Sequence, residues 1–241
     1  MPNYPVTTHR EEYFERGWTL LHGFVADDVA DDWCRAIVEI AARRPFADGV
    51  TRLDAVLAPS PERLYAGGLT RHTLLDTTAL DHRPELGALA QVYTALPAAL
   101  TQIIGQPVCT SPYPRSRVTC KVYTAGDEQG WHFDTNGITV LLYLEDSDGA
   151  TLIDPDMAPH PGDPANPSGL WKLALAMALL SPECEAPERI LPIKGSLLLM
   201  QGRRVWHRSV APSSRKVVAA LNYYAGDTWR PAGMDSLVYG T

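Results

Sequence analysis

A mostly-β barrel or sandwich backed by helices is the fold class this sequence predicts, and three observations predict it. Beyond Pro114 the hydrophobic period drops to two, with short β-rich segments between turns. Before that point, two stretches carry apolar residues at helical spacing. A chain of 241 residues with 45% hydrophobic residues is long enough for one large β domain with a sizeable core.

In chain order, Ala30 to Arg44 places Trp33, Ile37, Ile40 and Ala41 on one helical face. Asp27 or Asp28 is positioned to cap its start, and Pro45 lies just past its end. A second helix is expected over Pro84 to Ile104, where Leu86, Leu89, Ala90, Tyr93, Leu96 and Leu100 recur; Pro97 should bend or break it. Thr51 to Thr77 between them has no clear period. Residues 1–105 therefore read as a helical cover and 106–241 as a β core, together one domain over 1–241. Arg117, Thr119, Lys121 and Tyr123 alternate with Val118, Cys120, Val122 and Thr124 as in a strand, and Gly126-Asp127 turns the chain. Ile138 to Leu144 and Ala150 to Ile153 are β-rich, as are Gly195 to Met200, Val205 to Val210 and Lys216 to Tyr224. Asp154 to Gly169, with five prolines, reads as a long ordered loop or a lid hinged near Gly149 and Gly169, and Trp171 to Leu180 as a short helix.

Composition narrows the function classes. The formal net charge is -7, and no basic block exceeds two residues, which argues against nucleic-acid binding. The run Leu173 to Leu180 is too short to span a bilayer. Cys34, Cys109, Cys120 and Cys184 form no C-x-x-C and, with no signal peptide visible, suggest reduced thiols in a cytoplasmic protein. A small-molecule partner is the expectation, with the protein a monomer or a homodimer.

The chemistry concentrates in Gly130-Trp131-His132-Phe133-Asp134 and in Trp206-His207-Arg208. Two imidazoles and a carboxylate are the set that holds a non-haem Fe(II) on one face and leaves the other open. Residues two apart on extended backbone point the same way, so His132 and Asp134 can reach one ion. His207, 73 residues beyond Asp134, can return on another strand. A bare H-x-D is a weak signal, and a lone His207 fits a hydrogen-bonded histidine at a strand start equally well. The turn before His132 and the β-run after Asp134 favour the metal. Trp131 and Trp206 should point away from it and pack behind the ligands. His9, His22, His72, His82 and His160 have no partner at ligand spacing.

These parts resemble the non-haem Fe(II)/2-oxoglutarate-dependent dioxygenases, whose pattern is His-x-Asp, a distal His, then an Arg or Lys opening the next strand. The resemblance runs over about Arg117 to Tyr224, and its Trp-His-Phe-Asp segment is similar to enzymes acting on free amino acids and related metabolites. It implies a double-stranded β-helix (jelly-roll, cupin-like) core, and Fe(II), O2 and 2-oxoglutarate as requirements. It also implies hydroxylation of an unactivated C–H, since Asp134 stands where related halogenases have a small residue. Desaturation, epoxidation or ring closure are alternative outcomes. A cupin-like metal enzyme or binding module that does not use 2-oxoglutarate is the alternative class.

For the distal carboxylate of 2-oxoglutarate the pattern offers Arg215 or Lys216. If Arg215 faces inward, Val217, Ala219 and Leu221 share its face; if Lys216 does, Val218, Ala220 and Asn222 follow. The first register is more uniformly apolar, and Arg215 is preferred, as a bidentate guanidinium grip. Tyr123 is expected to donate its hydroxyl to the cosubstrate. Arg117 is a candidate for a substrate acid, Asn136 for orienting a ligand or substrate, and Arg71 for a pocket wall supplied by the cover. Solvent exposure of Arg117 and Lys121 on a half-buried strand is the competing reading.

Overall fold

The computed structural model describes residues 6–43, 49–57, 68–81, 83–134, 136–155 and 186–225. The predicted loop therefore lies outside the described residues from 156 onward. The helix expected over 171–180, His82, His160, Gly169 and Cys184 also lie outside them.

Helix α1 (Val6–Arg16) leads into strand β1 (Trp18–Leu21). Helix α2 (Asp27–Arg43) has Asp27 and Asp28 in its first turn, where carboxylates suit the positive end of the helix dipole. It buries Trp33, Cys34, Ile37 and Ile40. The stretch unassigned by period contributes an antiparallel pair, β2 (Val50–Leu57) and β3 (Gly68–Leu75). The cover is thus not purely helical: three of its strands join the sheet.

A short helix α3 (Thr77–Asp81) and a 3-10 turn (Pro84–Leu86) precede α4 (Gly87–Ile104). Pro97 lies inside α4 without ending it. A proline cannot donate to the carbonyl four residues back, and here that carbonyl, Tyr93 O, accepts from Tyr223 Oη at 2.9 Å instead. Although 84–104 is long and apolar enough to cross a membrane, α4 buries Leu89, Tyr93, Leu96, Leu100, Ile103 and Ile104.

The remaining strands are β4 (Val108–Thr110), β5 (Val118–Thr124), β6 (Gln129–His132), β7 (Ile138–Tyr143), β8 (Thr151–Asp154), β9 (Glu188–Ile190), β10 (Leu197–Gln201), β11 (Trp206–Ser209) and β12 (Arg215–Ala225). Among the described residues the sheet runs β1-β10-β7-β12-β5-β3-β6-β11-β8-β9, with β2 on β3 and β4 on β12, every pair antiparallel. It curls into a jelly-roll, with helices on its outside. Strand β12 shows the two faces. Val217, Ala219, Leu221 and Tyr223 join the core under α2 and α4, while Val218 and Ala220 belong to an inner cluster with Trp18, Leu141, Tyr143 and Met200.

Candidate metal centre and cavity

His132 at the end of β6 and His207 in β11 are cross-strand partners. Their rings stand 4.2 Å apart, centroid to centroid. His132 Nδ1 lies 2.8 Å from the Gly130 carbonyl and His207 Nδ1 3.0 Å from the Val205 carbonyl. A carbonyl can only accept, so each Nδ1 carries the proton and each Nε2 keeps its lone pair for an ion. Asp134 completes the triad, with Oδ1 3.6 Å from His132 Nε2 and Oδ2 3.8 Å from His207 Nε2. All three ligand atoms lie within 4.8 Å of one another, and bonds near 2 Å from one ion can meet at their centre. Two neutral imidazole donors and one carboxylate on a single side fit Fe(II) and leave its opposite face open.

Electrostatics prepares these ligands. Burial, then the neighbouring His132, lowers the pKa of His207 to about 4, so its imidazole is neutral. Burial alone would raise that of Asp134, but His207, His132 and Lys121 outweigh it and hold the carboxyl well below the usual carboxylate range.

A second set of contacts fixes the carboxylate. Asp134 N–H donates to Gly202 O at 2.9 Å. Thr139 Oγ1 donates to Asp134 Oδ2 and accepts from Asn136 Nδ2 at 2.8 Å. Asn136 also lines the cavity, but its amide is engaged in orienting the Asp134 loop, through Thr139 and the Ile138 carbonyl. Behind the ligands, Trp131 and Trp206 stack with centroids 6.2 Å apart, and Phe133 packs on Trp206 at 4.6 Å.

The triad opens on a cavity of about 180 Å³ between the curled strands. Tyr123 lines it, its hydroxyl donating to Gln129 Oε1 at 3.1 Å. Lys121 Nζ donates to the same oxygen at 2.9 Å, and Gln129 Nε2 lies 3.1 Å from His132 Nε2. Lys216 is completely buried, its Nζ 2.9 Å from Ser209 Oγ, 3.4 Å from Val210 O and 4.5 Å from the Tyr123 ring centroid.

Three expectations need correction. Arg215 does not face inward: its side chain is 44% exposed and pairs with Glu145 at 2.7 Å on the outer side of the sheet. The apolar residues that share its face pack under the helices, and Lys216 holds the inward register. Arg117 lies in the turn before β5, exposed, with Nε on Ser111 O, so it does not share the cavity face of Thr119, Lys121 and Tyr123. Arg71 pairs with Asp54 at 2.9 Å outside the cavity, whereas its neighbour His72 lines it.

Sequence reasoning missed Gln129, Ser209, Thr139 and Gly202. Gln129 and His132 are three apart, which regular alternation puts on opposite faces. A bulge between the pairs His207–His132 and Ser209–Gln129 turns both inward. A Cβ on Gly202 would stand 2.4 Å from Asn136 O and 3.0 Å from Asp134 Cβ, so glycine is what lets the Asp134 loop close. Ser209, two residues past His207 on the same strand, was within reach of the alternation rule.

No protein-family model and no curated protein matches the sequence. Solved structures do match. The non-heme alpha ketoglutarate dependent carbocyclase SnoK from nogalamycin biosynthesis superposes with a TM-score of 0.66 at 14% identity, covering 97% of this chain and 90% of its own. The epimerase SnoN, in complex with Fe3+, alpha ketoglutarate and nogalamycin RO, gives 0.65 at 15% identity, covering 96% and 88%. A Pseudomonas putida prolyl-4-hydroxylase gives 0.56 at 10% identity, covering 92% and 100%. The fold is that of the 2-oxoglutarate/Fe(II) oxygenases, and the triad supplies the ligand set that such a centre needs.

Proposed function

We propose that the protein is an Fe(II)- and 2-oxoglutarate-dependent oxygenase that hydroxylates an unactivated C–H of a small metabolite, such as a free amino acid or a derivative. The overall change is substrate, O2 and 2-oxoglutarate to hydroxylated substrate, succinate and CO2. His132, Asp134 and His207 would hold the iron, which when bound supplies the oxidising power for C–H cleavage. Lys216 would take the distal carboxylate of 2-oxoglutarate, with Ser209 and Tyr123 beside it.

The observation that carries this reading is a fully buried lysine, Lys216, with no described carboxylate within ion-pair distance, whose partner Ser209 lines the cavity that holds the triad. Among the described residues Lys216 meets a hydroxyl, a carbonyl and an aromatic face, and a buried charge is costly unless paired. A dicarboxylate that chelates the metal at one end and meets Lys216 at the other satisfies both. The SnoN complex with alpha ketoglutarate supports the same cosubstrate on this fold. The names of SnoK, SnoN and the prolyl hydroxylase span ring formation, epimerisation and hydroxylation; the Asp134 carboxylate leaves no place for a halide and so speaks against halogenation.

Anaerobic addition of 2-oxoglutarate to the Fe(II)-loaded protein should produce a visible metal-to-ligand charge-transfer band, absent from a His207→Ala variant. No band at saturating cosubstrate would rule the reading out in favour of a metal site that does not use it.

A further inference from the structure

We propose that Lys121 is the substrate's anchor and that the site takes a small organic acid, its carboxylate held by Lys121 Nζ beside the open face of the triad. The proposal rests on the oxygenase reading above, with Lys216 assigned to the cosubstrate.

Three observations carry it. Lys121 lines the cavity on β5, and among the described residues its Nζ donates to Gln129 Oε1 alone, at 2.9 Å. An ammonium has three donors, so two remain for a ligand. No described carboxylate lies within ion-pair distance of it, and Asp134, the one acid lining the cavity among the described residues, belongs to the triad.

The charges then decide the ligand. With the site filled, the two positive charges of iron, the Asp134 carboxylate, the cosubstrate dianion and Lys216 sum to neutrality. An imidazole that ligates a metal is neutral, and burial disfavours the charged form of His72. Lys121 is left as one positive charge, half-buried on the cavity wall with no described carboxylate beside it, and a partly desolvated charge is stabilised by an opposite one. One further anion completes the set. Register separates the two cations: Lys216 lies opposite Tyr123 and Val218 opposite Lys121, so the lysines stand two residues apart along neighbouring strands. Lys216 reaches Ser209 and Lys121 reaches Gln129, beside His132. Leu53, Leu74 and Phe133 line the same cavity, which suits an acid with a hydrocarbon part.

The test uses protein loaded with Mn(II) and 2-oxoglutarate, with butyrate as the probe and butyramide as its neutral isostere. Paramagnetic relaxation of the probe's methyl protons reports occupancy near the metal. Butyrate should show saturable enhancement at concentrations at least tenfold lower than butyramide. Lys121→Met should abolish that preference, and Lys121→Arg should keep it. In both variants the affinity for 2-oxoglutarate, measured by calorimetry, should stay within about threefold of wild type, which also reports that the site is folded. Equal behaviour of the two probes, no saturable butyrate signal, or a butyrate preference that survives in Lys121→Met overturns the proposal. A loss of 2-oxoglutarate affinity in Lys121→Met overturns it differently, by giving Lys121 to the cosubstrate. If the wild-type protein takes up no 2-oxoglutarate at all, the oxygenase reading is what fails, and the same probes on protein with Mn(II) alone still show whether Lys121 selects an anion.

Discussion

Replacing Lys216 with Met should remove most of the affinity for 2-oxoglutarate and make the ligand-free protein more stable. Its Nζ is completely buried among Ser209 Oγ, the Val210 carbonyl and the Tyr123 ring. Burial, and then the like charge of Lys121, lower its pKa from 10.5 to about 7. A shift of that size corresponds to roughly 5 kcal/mol at about 1.36 kcal/mol per pKa unit. Between the two values the unfolded chain holds a proton that the native state does not, so stability rises with pH across that window. It is lowest at and below about pH 7. Met keeps the aliphatic stem and drops the charge, so Tm at neutral pH should rise. Binding has the opposite sign. A carboxylate on Nζ favours the ammonium, so cosubstrate affinity is full below about pH 7 and falls by up to roughly tenfold per unit above it. Removing one member of a buried charge pair costs about 2–5 kcal/mol, or roughly 30- to 5000-fold in Kd. Calorimetry of Mn(II)-loaded protein with 2-oxoglutarate on either side of neutrality, alongside thermal denaturation, measures both effects. Arg215→Ala is the control, and its affinity should match wild type because Glu145 holds that side chain outside. Undiminished binding in Lys216→Met, or a loss in Arg215→Ala, refutes the reasoning.

Three further outcomes follow from the geometry. Thr139→Val removes the donor to Asp134 Oδ2 and should weaken metal binding by about 10- to 100-fold; a competition titration with a chromophoric chelator reads it, and unchanged affinity would mean the contact does not orient the ligand. Gly202→Ala drives a methyl toward Asn136 O and Asp134 Cβ. Its metal affinity should fall at least about tenfold with an unaltered circular dichroism spectrum, and full metal retention would show that the loop yields freely. Tyr223→Phe leaves the carbonyl opposite Pro97 without its donor and should cost about 1–3 kcal/mol in urea denaturation; a loss under about 0.5 kcal/mol would show that the carbonyl finds another partner.

The metal ligands were legible because their information is local. His132 and Asp134 sit two apart at the end of a strand, and the strand period alone aims both at one point. The helices were legible for the same reason: Trp33, Ile37 and Ile40 recur with the turn of α2 and are buried where the period puts them. Pro97 was read locally too, and there the local rule failed. A distant tyrosine supplies the hydrogen bond that proline withholds, so α4 continues.

The register of β12 shows most clearly where the sequence stops. Alternation correctly divides Arg215, Val217, Ala219 and Leu221 from Lys216, Val218, Ala220 and Asn222, but both faces of this strand are buried. A more uniformly apolar face marks the side covered by helices, and the cavity side keeps the polar residues that chemistry needs. Choosing the uniform face therefore selected the cation that lies on the outer side, paired with Glu145. Gln129 was hidden by a bulge, which breaks the period of two, and Gly202 by contacts with a loop more than sixty residues earlier in the chain. By itself the sequence determined the ligand types, their spacing and the periods of the elements, because each depends on neighbours along the chain. Only the tertiary structure decided which side of each strand became the inside, because that depends on which layer the curled sheet meets on each face.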